Sequence, residues 1–340
     1  MPQRLLTLAI LGIFVHAGRL PAASPEAASD PVRTAVTRGL PVLIKGAIGH
    51  TAQRTCFACH SQALPLLAMT AARSRGFAVD EKEVQKQTQF IADFLGRNRD
   101  AFRQGRGTGG QADTAGYALL SLELGGWKPD ATTAAVAEYL LLRDKDSDHW
   151  DTTSHRPPSE ASPFTTTYLA LRGLRAFGTP EQQERIAART RKARQWLLTT
   201  SAKDTEDRVF RLWGLKLAGA PEKSVRAAVR DLVQDQRKDG GWAQNSKGDS
   251  DAYATGSALV ALHQAGGMSV SDPIYQRGLK FLIGTQRQDG SWLVHSRSKP
   301  FQTYFETGFP HGKDQFISSA ASGWAATALA LACEPSSFAR

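Results

Sequence analysis

The chain has 340 residues, with 42 Lys and Arg against 32 Asp and Glu, 41% hydrophobic positions, 30 Gly and three Cys. This balance excludes collagenous, low-complexity and disulfide-dense classes and supplies enough apolar surface for a core without cross-links. The net charge of +10 comes from basic residues scattered from Arg54 to Arg297 among acids rather than from a stripe interleaved with aromatics. Nucleic acid is therefore not expected as a partner; attraction to an anionic lipid surface, or solubility, explains the charge equally well.

In chain order, Arg4 precedes an apolar run from Leu5 to Val15 that ends in Val15-His16-Ala17. This is the form of a cleaved export leader, so residues 1–17 read as a signal peptide, 18–30 as a linker, and the protein as periplasmic or otherwise exported. The run is 11 residues long, short of the about 20 that a membrane-spanning helix needs. No later stretch is apolar enough to span a bilayer, so no transmembrane segment is expected once the leader is removed.

From residue 31 onward, Ala- and Leu-rich segments with helical spacing recur, and alternating β-branched runs are missing. An all-α body over 31–333 with a tail at 334–340 follows, without sheets. Segments rich in small residues open at His60, Asp113, Phe164, Asp207, Asp251 and Gln315. More charged segments lie at 33–46, 80–97, 131–143, 181–198, 222–236 and 273–285. Alternation of the two kinds predicts six helical hairpins. Two joints between them are nearly identical: Gln236-Arg237-Lys238-Asp239-Gly240-Gly241-Trp242 and Gln286-Arg287-Gln288-Asp289-Gly290-Ser291-Trp292. Asp-Gly leaves a helix through a left-handed residue, Gln bonds stranded helix-end groups and Trp seals the joint, so these residues are expected to be packing devices. Gly125-Gly126-Trp127 and Asp148-His149-Trp150 are weaker echoes.

The Gln-x-x-Asp-Gly-x-Trp joints resemble the prenyltransferase and squalene oxidase repeats of squalene-hopene cyclases and protein prenyltransferase β-subunits, over most of residues 31–333. The resemblance implies an (α/α)6 toroid of six helical hairpins: an inner ring around a funnel and an outer ring facing water. It also implies an apolar, isoprenoid-like ligand. The chain is similar, more narrowly, to exported bacterial proteins that carry such repeats behind a Cys-x-x-Cys-His motif. Class II terpene cyclases protonate their substrate with the middle acid of Asp-x-Asp-Asp. The nearest segment found here, Asp249-Ser250-Asp251-Ala252, lacks the last carboxylate, which counts against proton-initiated cyclisation. Asp251 is then either a candidate acid or a helix N-cap.

Cys56-Phe57-Ala58-Cys59-His60 is a complete C-x-x-C-H. In an exported chain this is the attachment pattern for one covalent haem c, with two thioethers and His60 as axial ligand. Met69 lies only nine residues on in the same helix, so the sixth iron position falls to His311, His295 or His155, or stays open to a small molecule. Zinc and a disulfide or free thiol pair are the alternatives. In the zinc case the resemblance to lanthionine cyclases puts Cys59 and His60 on the ion, with Cys56 a third ligand and water or His311 a fourth.

The loop 293–314 interrupts the last repeat, and ordered loops of that length commonly bind something. Tyr304, Phe305, Phe309, Glu306, His311, Lys313 and Asp314 are its candidates for the funnel mouth, joined from the repeats by Tyr253 and Asp251. A lid that only seals the ring explains the loop as well. The segment 155–163 is expected to face the same opening, and Cys333 to be a small buried apolar residue. Two functions follow: an exported haem protein with a redox, electron-transfer or sensing role and a periplasmic redox partner, or an isoprenoid-binding or isoprenoid-modifying toroid without haem.

Overall fold

The computed structural model describes residues 30–300 and 302–335. The leader at 1–17, the linker before residue 30 and the tail from 336 onward lie outside the described residues. Thirteen α-helices follow among those described: α1 (Pro31–Gln53), α2 (Leu64–Ser74), α3 (Glu81–Arg97), α4 (Arg99–Arg103), α5 (Gln111–Leu124), α6 (Ala131–Leu142), α7 (Pro163–Phe177), α8 (Gln183–Thr199), α9 (Thr205–Leu217), α10 (Glu222–Gln234), α11 (Ala252–Gln264), α12 (Pro273–Thr285) and α13 (Gln315–Leu331). The strand content among described residues is one antiparallel pair of two-residue strands, Trp242–Ala243 with Ser250–Asp251. None of the described helices is long and apolar enough to cross a membrane.

The helices sort by what they bury. Nearly every residue of α11 and α13 is buried, whereas α10 buries only Val225, Ala228 and Leu232, a single stripe at helical spacing. The first kind packs helix on helix in a ring: α2 against α5, then α7, α9, α11, α13 and back to α2. The second kind, α1, α3, α6, α8, α10 and α12, packs outside it, and one-turn α4 is an unforeseen addition against α6. Among the described residues, the body from Pro31 onward is an all-α toroid of six hairpins.

Closure of the ring depends on missing side chains. A Cβ on Gly256 of α11 would lie 2.7 Å from the backbone of Trp324 and Ala325 in α13, and one on Gly323 of α13 would lie 2.7 Å from the carbonyl oxygen of Leu64 in α2. Any side chain there would force the two neighbouring backbones apart.

The joints work as their sequence suggests. Gln286 Nε2 donates to Gly290 O at 2.9 Å and to Ala35 O at 2.8 Å, tying the last outer helix to the first. Gln236 repeats this with Gly240 O and Ile274 O. Both glycines take φ +89°, which a side chain would strain. Trp242 and Trp292 are fully buried, and their indole N–H groups donate to Leu232 O and Leu282 O in the last turn of the preceding outer helix. Trp150 does the same to Leu140 O at 2.8 Å, so that echo is genuine. Trp127 is different. It follows an inner helix, is only partly buried, and bonds Asp130 at the entry to α6.

Candidate functional site

Because consecutive hairpins run the same way, the N-terminal ends of all inner helices meet at one mouth of the ring. The Cys-x-x-Cys-His motif enters there. After α1 the chain runs through Cys56 and Phe57 into a π-helical turn, Cys59–Ala63, that leads directly into α2. Gln62 Oε1 accepts from Ala58 N at 3.0 Å and fastens this wide turn; such bulges recur at functional sites.

The motif's three side chains have different surroundings. Cys56 is exposed, whereas Cys59 is buried. The Cys59 thiol donates to Glu160 Oε1 at 2.7 Å, and Glu160 is also paired with Arg156. Burial first, and then the Glu160 charge, push the Cys59 thiol well above its ordinary range. His60 is held neutral, its pKa lowered to about 3 by burial first and then by His50 and Arg156. Its ring packs edge-on to Phe316 at 4.9 Å. The Nε2 atom of His60 is buried with no hydrogen-bond partner.

Two cavities of about 380 Å3 each adjoin at this point, sharing His60, Arg156, Glu160 and Gln302 as walls. One contains the whole motif from Cys56 to His60, facing Gly109, Gly110 and Tyr117. The other is more apolar, with Pro157, Pro300, Tyr304, Phe316 and Ile317 around Lys313 and Asp314. The two loops singled out in the sequence therefore do share the mouth: Ser298 Oγ donates to Pro157 O at 3.1 Å. Residues 156–160 form a small hairpin, Arg156 and Glu160 exchanging backbone bonds of 2.8 and 3.0 Å. It stops the mouth, with Tyr117 OH donating to Ser159 O at 3.1 Å.

Of the sequence candidates, Tyr304, Lys313 and Asp314 line the mouth. Phe305 stacks under Arg54 and beside His50 instead. Phe309 is a correction: it is buried against Leu43, Ala68 and Ala326, where Gly46 leaves room for its ring, and pins the loop to α1. Tyr253 is a second correction, since its ring fills the core and its hydroxyl donates to Glu206. His311 is a third: its Nε2 meets Ser291 Oγ at 2.7 Å, at the joint, and it lines neither cavity. Exposed His295 is bonded to Asp314. Exposed Glu306 takes the Tyr304 hydroxyl. No three His, Cys, Asp or Glu side chains converge on a possible metal ion among the described residues, so the zinc set of Cys56, Cys59, His60 and His311 is not assembled. Asp251 caps α11, accepting from Ala254 N at 2.9 Å, and burial pushes its pKa up to about 6.

A cavity of about 20 Å3, room for about one water, is lined by Tyr117, Tyr168, Phe210, Trp213 and Trp324, and it shares Tyr168, Arg172, Trp213 and Gln264 with a cavity of about 420 Å3 at the C-terminal ends of the inner helices. The sequence reading passed over one buried acid. Glu206, near the start of α9, is buried, and burial before any other cause pushes its carboxyl well above the ordinary range. Its Oε1 accepts from Thr165 at 2.9 Å and Tyr253 at 3.3 Å, while Oε2 has no partner. With both donors on Oε1, the carboxyl proton belongs on Oε2. The signal was present: Asp204-Thr205-Glu206-Asp207 has acids at the spacing of Asp-x-Asp-Asp, with Glu in the middle. Glu206, Tyr253, Cys59 and Glu160 all lie within electrostatic reach of Tyr117, which places the acid just beneath the mouth.

Residues 208–318 match the squalene-hopene cyclase C-terminal domain, a match that begins just after Asp207. The chain is 34% identical over 126 residues to the squalene–hopene cyclase of Bradyrhizobium diazoefficiens, covering 31% of this chain and 18% of that protein. It is 33% identical over 113 residues to a terpene cyclase-glycosyl transferase fusion protein of Humicola fuscoatra, covering 29% of this chain and 8% of that one. The matches thus span less than a fifth of either curated relative. Among solved structures, the type II terpene cyclase MstE from Scytonema has a similar fold, with TM-score 0.56 and 12% identity over 89% of this chain and 98% of that one. A variant of it bound to geranylgeranyl dihydroxybenzoate gives TM-score 0.54, also at 12% identity, over 89% and 99%.

Proposed function

We propose that this toroid admits an apolar, isoprenoid-like molecule at the mouth and acts on it with the Glu206 carboxyl. One observation carries the reading: a buried carboxyl, pushed well above its ordinary range, with an unpartnered oxygen and held by Thr165 and Tyr253. A proton delivered there to an alkene leaves a carbocation, which aromatic faces stabilise and excluded water cannot quench. The similarity to squalene–hopene cyclase, and the prenylated substrate held by a protein of similar fold, support the ligand class. The test is incubation with geranylgeranyl dihydroxybenzoate and with squalene, read by mass spectrometry after chromatography. Expected is a retained ligand and a product of unchanged mass but new retention time, with Glu206→Gln still binding and forming none. Neither uptake nor conversion of either compound sinks the reading.

A second reading of the mouth is an exported c-type haem protein with a redox or sensing role. The unpartnered, buried and neutral Nε2 of His60, in a wall of the cavity that contains the whole motif, favours it. Cys56 and Cys59 would hold the group, once Cys59 gives up Glu160, and His60 would face its iron; the group would supply one-electron or ligand-binding chemistry. Protein made with haem-attachment machinery should then stain for covalent haem, and Cys56→Ser with Cys59→Ser should abolish the stain. Colourless wild-type protein counts against this reading.

A further inference from the structure

The ligand-binding reading makes no use of the two sulfurs at the mouth, and their surroundings point to chemistry of their own. Cys56 and Cys59 stand three residues apart and line the same cavity. The first is open to solvent and the second is hidden. The hidden thiol donates to Glu160 Oε1 at 2.7 Å, and Glu160 itself is buried, with Arg156 as its counter-charge. Thiol–disulfide exchange needs this asymmetry: an accessible sulfur to meet a substrate, a protected one to resolve the intermediate, and a base to take the second proton.

We propose that Cys56 and Cys59 form a redox-active dithiol–disulfide pair, with Cys56 as nucleophile and Glu160 as the base for Cys59, acting on low-molecular-weight disulfides. The Cys56 thiolate attacks one sulfur of the substrate. That S–S bond breaks, and the other substrate sulfur leaves and is protonated to a thiol. The Cys59 sulfur then attacks Cys56 Sγ while its proton passes to Glu160. The mixed disulfide breaks, and the second substrate sulfur departs and takes the proton from Glu160. The protein loses two electrons and two protons, and the substrate gains both as two thiols. Glu160 matters because its Oε1, 2.7 Å from the buried Cys59 sulfur, is placed to take the proton as attack proceeds. A space of about 380 Å3 beside the motif gives a small disulfide room next to the exposed Cys56.

The proposal claims the sulfurs that thioether attachment would consume, so one experiment separates the two. The full chain, reduced, is mixed with oxidised glutathione, quenched at intervals with an alkylating agent and weighed. Wild type should lose two of its three free thiols, keeping Cys333, with no lasting glutathione adduct. Cys59→Ser should stop at one glutathione on Cys56, and Cys56→Ser, altered at an exposed position, should take up none. Glu160→Gln should form the adduct but resolve it roughly 10²-fold more slowly, with Glu160→Asp partly restoring the rate. Equal resolution rates in wild type and Glu160→Gln would overturn the assignment of the base. A pair that glutathione never oxidises, or one already occupied by covalent haem, would overturn the proposal. Isoprenoid uptake, measured with both thiols reduced, stands or falls separately.

Discussion

Replacing Trp242 or Trp292 by Ala is expected to lower the unfolding free energy by about 3–5 kcal/mol each, the range for removing a large buried aromatic. Both indoles are fully buried. Each also does two pieces of bonding that alanine cannot replace or leaves unsupported. The ring N–H of Trp242 donates to Leu232 O at 2.8 Å and that of Trp292 to Leu282 O at 2.7 Å, satisfying carbonyls that helix ends leave unmatched. Their backbone N–H groups are held by Thr255 and Ser322 of the next inner helix, at 2.9 and 3.0 Å. Truncation therefore opens a cavity at the seam between hairpins, and in the Trp242 case it orphans Leu232 O, whereas Leu282 O keeps the Thr285 hydroxyl at 3.3 Å. Trp242→Phe keeps most of the volume and should cost about 1–3 kcal/mol, mainly for the unmatched carbonyl. Trp127→Ala serves as the control, because that side chain is only partly buried and bonds the exposed edge of Asp130. Urea denaturation of the four variants decides it: Trp127→Ala as damaging as Trp242→Ala would show that the seams are not where stability is held.

The same contrast explains what could be read from the sequence. A joint such as Gln286 to Trp292 is legible because its function is local: Asp289 accepts from Ser291 N, Gly290 takes positive φ, and the indole reaches back ten residues to Leu282. Helix alternation was legible too, because burial on all sides and burial on one stripe demand different compositions. Gly125-Gly126-Trp127 misled because a tripeptide does not say whether it follows an inner or an outer helix. At the mouth, loop length and the Cys-x-x-Cys-His motif located the site, but not which loop aromatics face it. Tyr304 and Phe309 lie five residues apart, and only the gap over Gly46 decides that Phe309 turns into α1. The contact of Cys59 with Glu160 joins residues 101 apart, one opening a π-helical turn and one closing a loop hairpin, and no periodicity announces such a pair. Glu206 was hidden by a narrower cause, the expectation that the middle acid would be Asp.

Asp251→Asn is expected to be more stable than the wild type at pH 8 and no more stable near pH 4. The folded protein raises this carboxyl from 3.8 to about 6, chiefly by burial. Between those values the native state holds a proton that the unfolded chain has released. Stability is therefore full below about 3.8 and is lost as the pH rises through 6. At 1.36 kcal/mol per pH unit the loss amounts to roughly 3 kcal/mol above pH 6. Asparagine removes this dependence while its side-chain oxygen can still accept from Ala254 N and cap α11. Glu206→Gln should move stability in the same direction, since burial raises that carboxyl as well and Gln keeps an acceptor for Thr165 and Tyr253. Urea midpoints at pH 4 and 8 measure both, and variants whose midpoints run parallel to the wild type would remove the buried acids from the account. The two substitutions part company in activity. Asp251 has a helix to cap, so its replacement should spare ligand conversion, whereas Glu206→Gln should gain stability and lose the chemistry. On the proposed function, the destabilisation that this carboxyl brings at neutral pH without capping a helix is the cost of the proton it delivers.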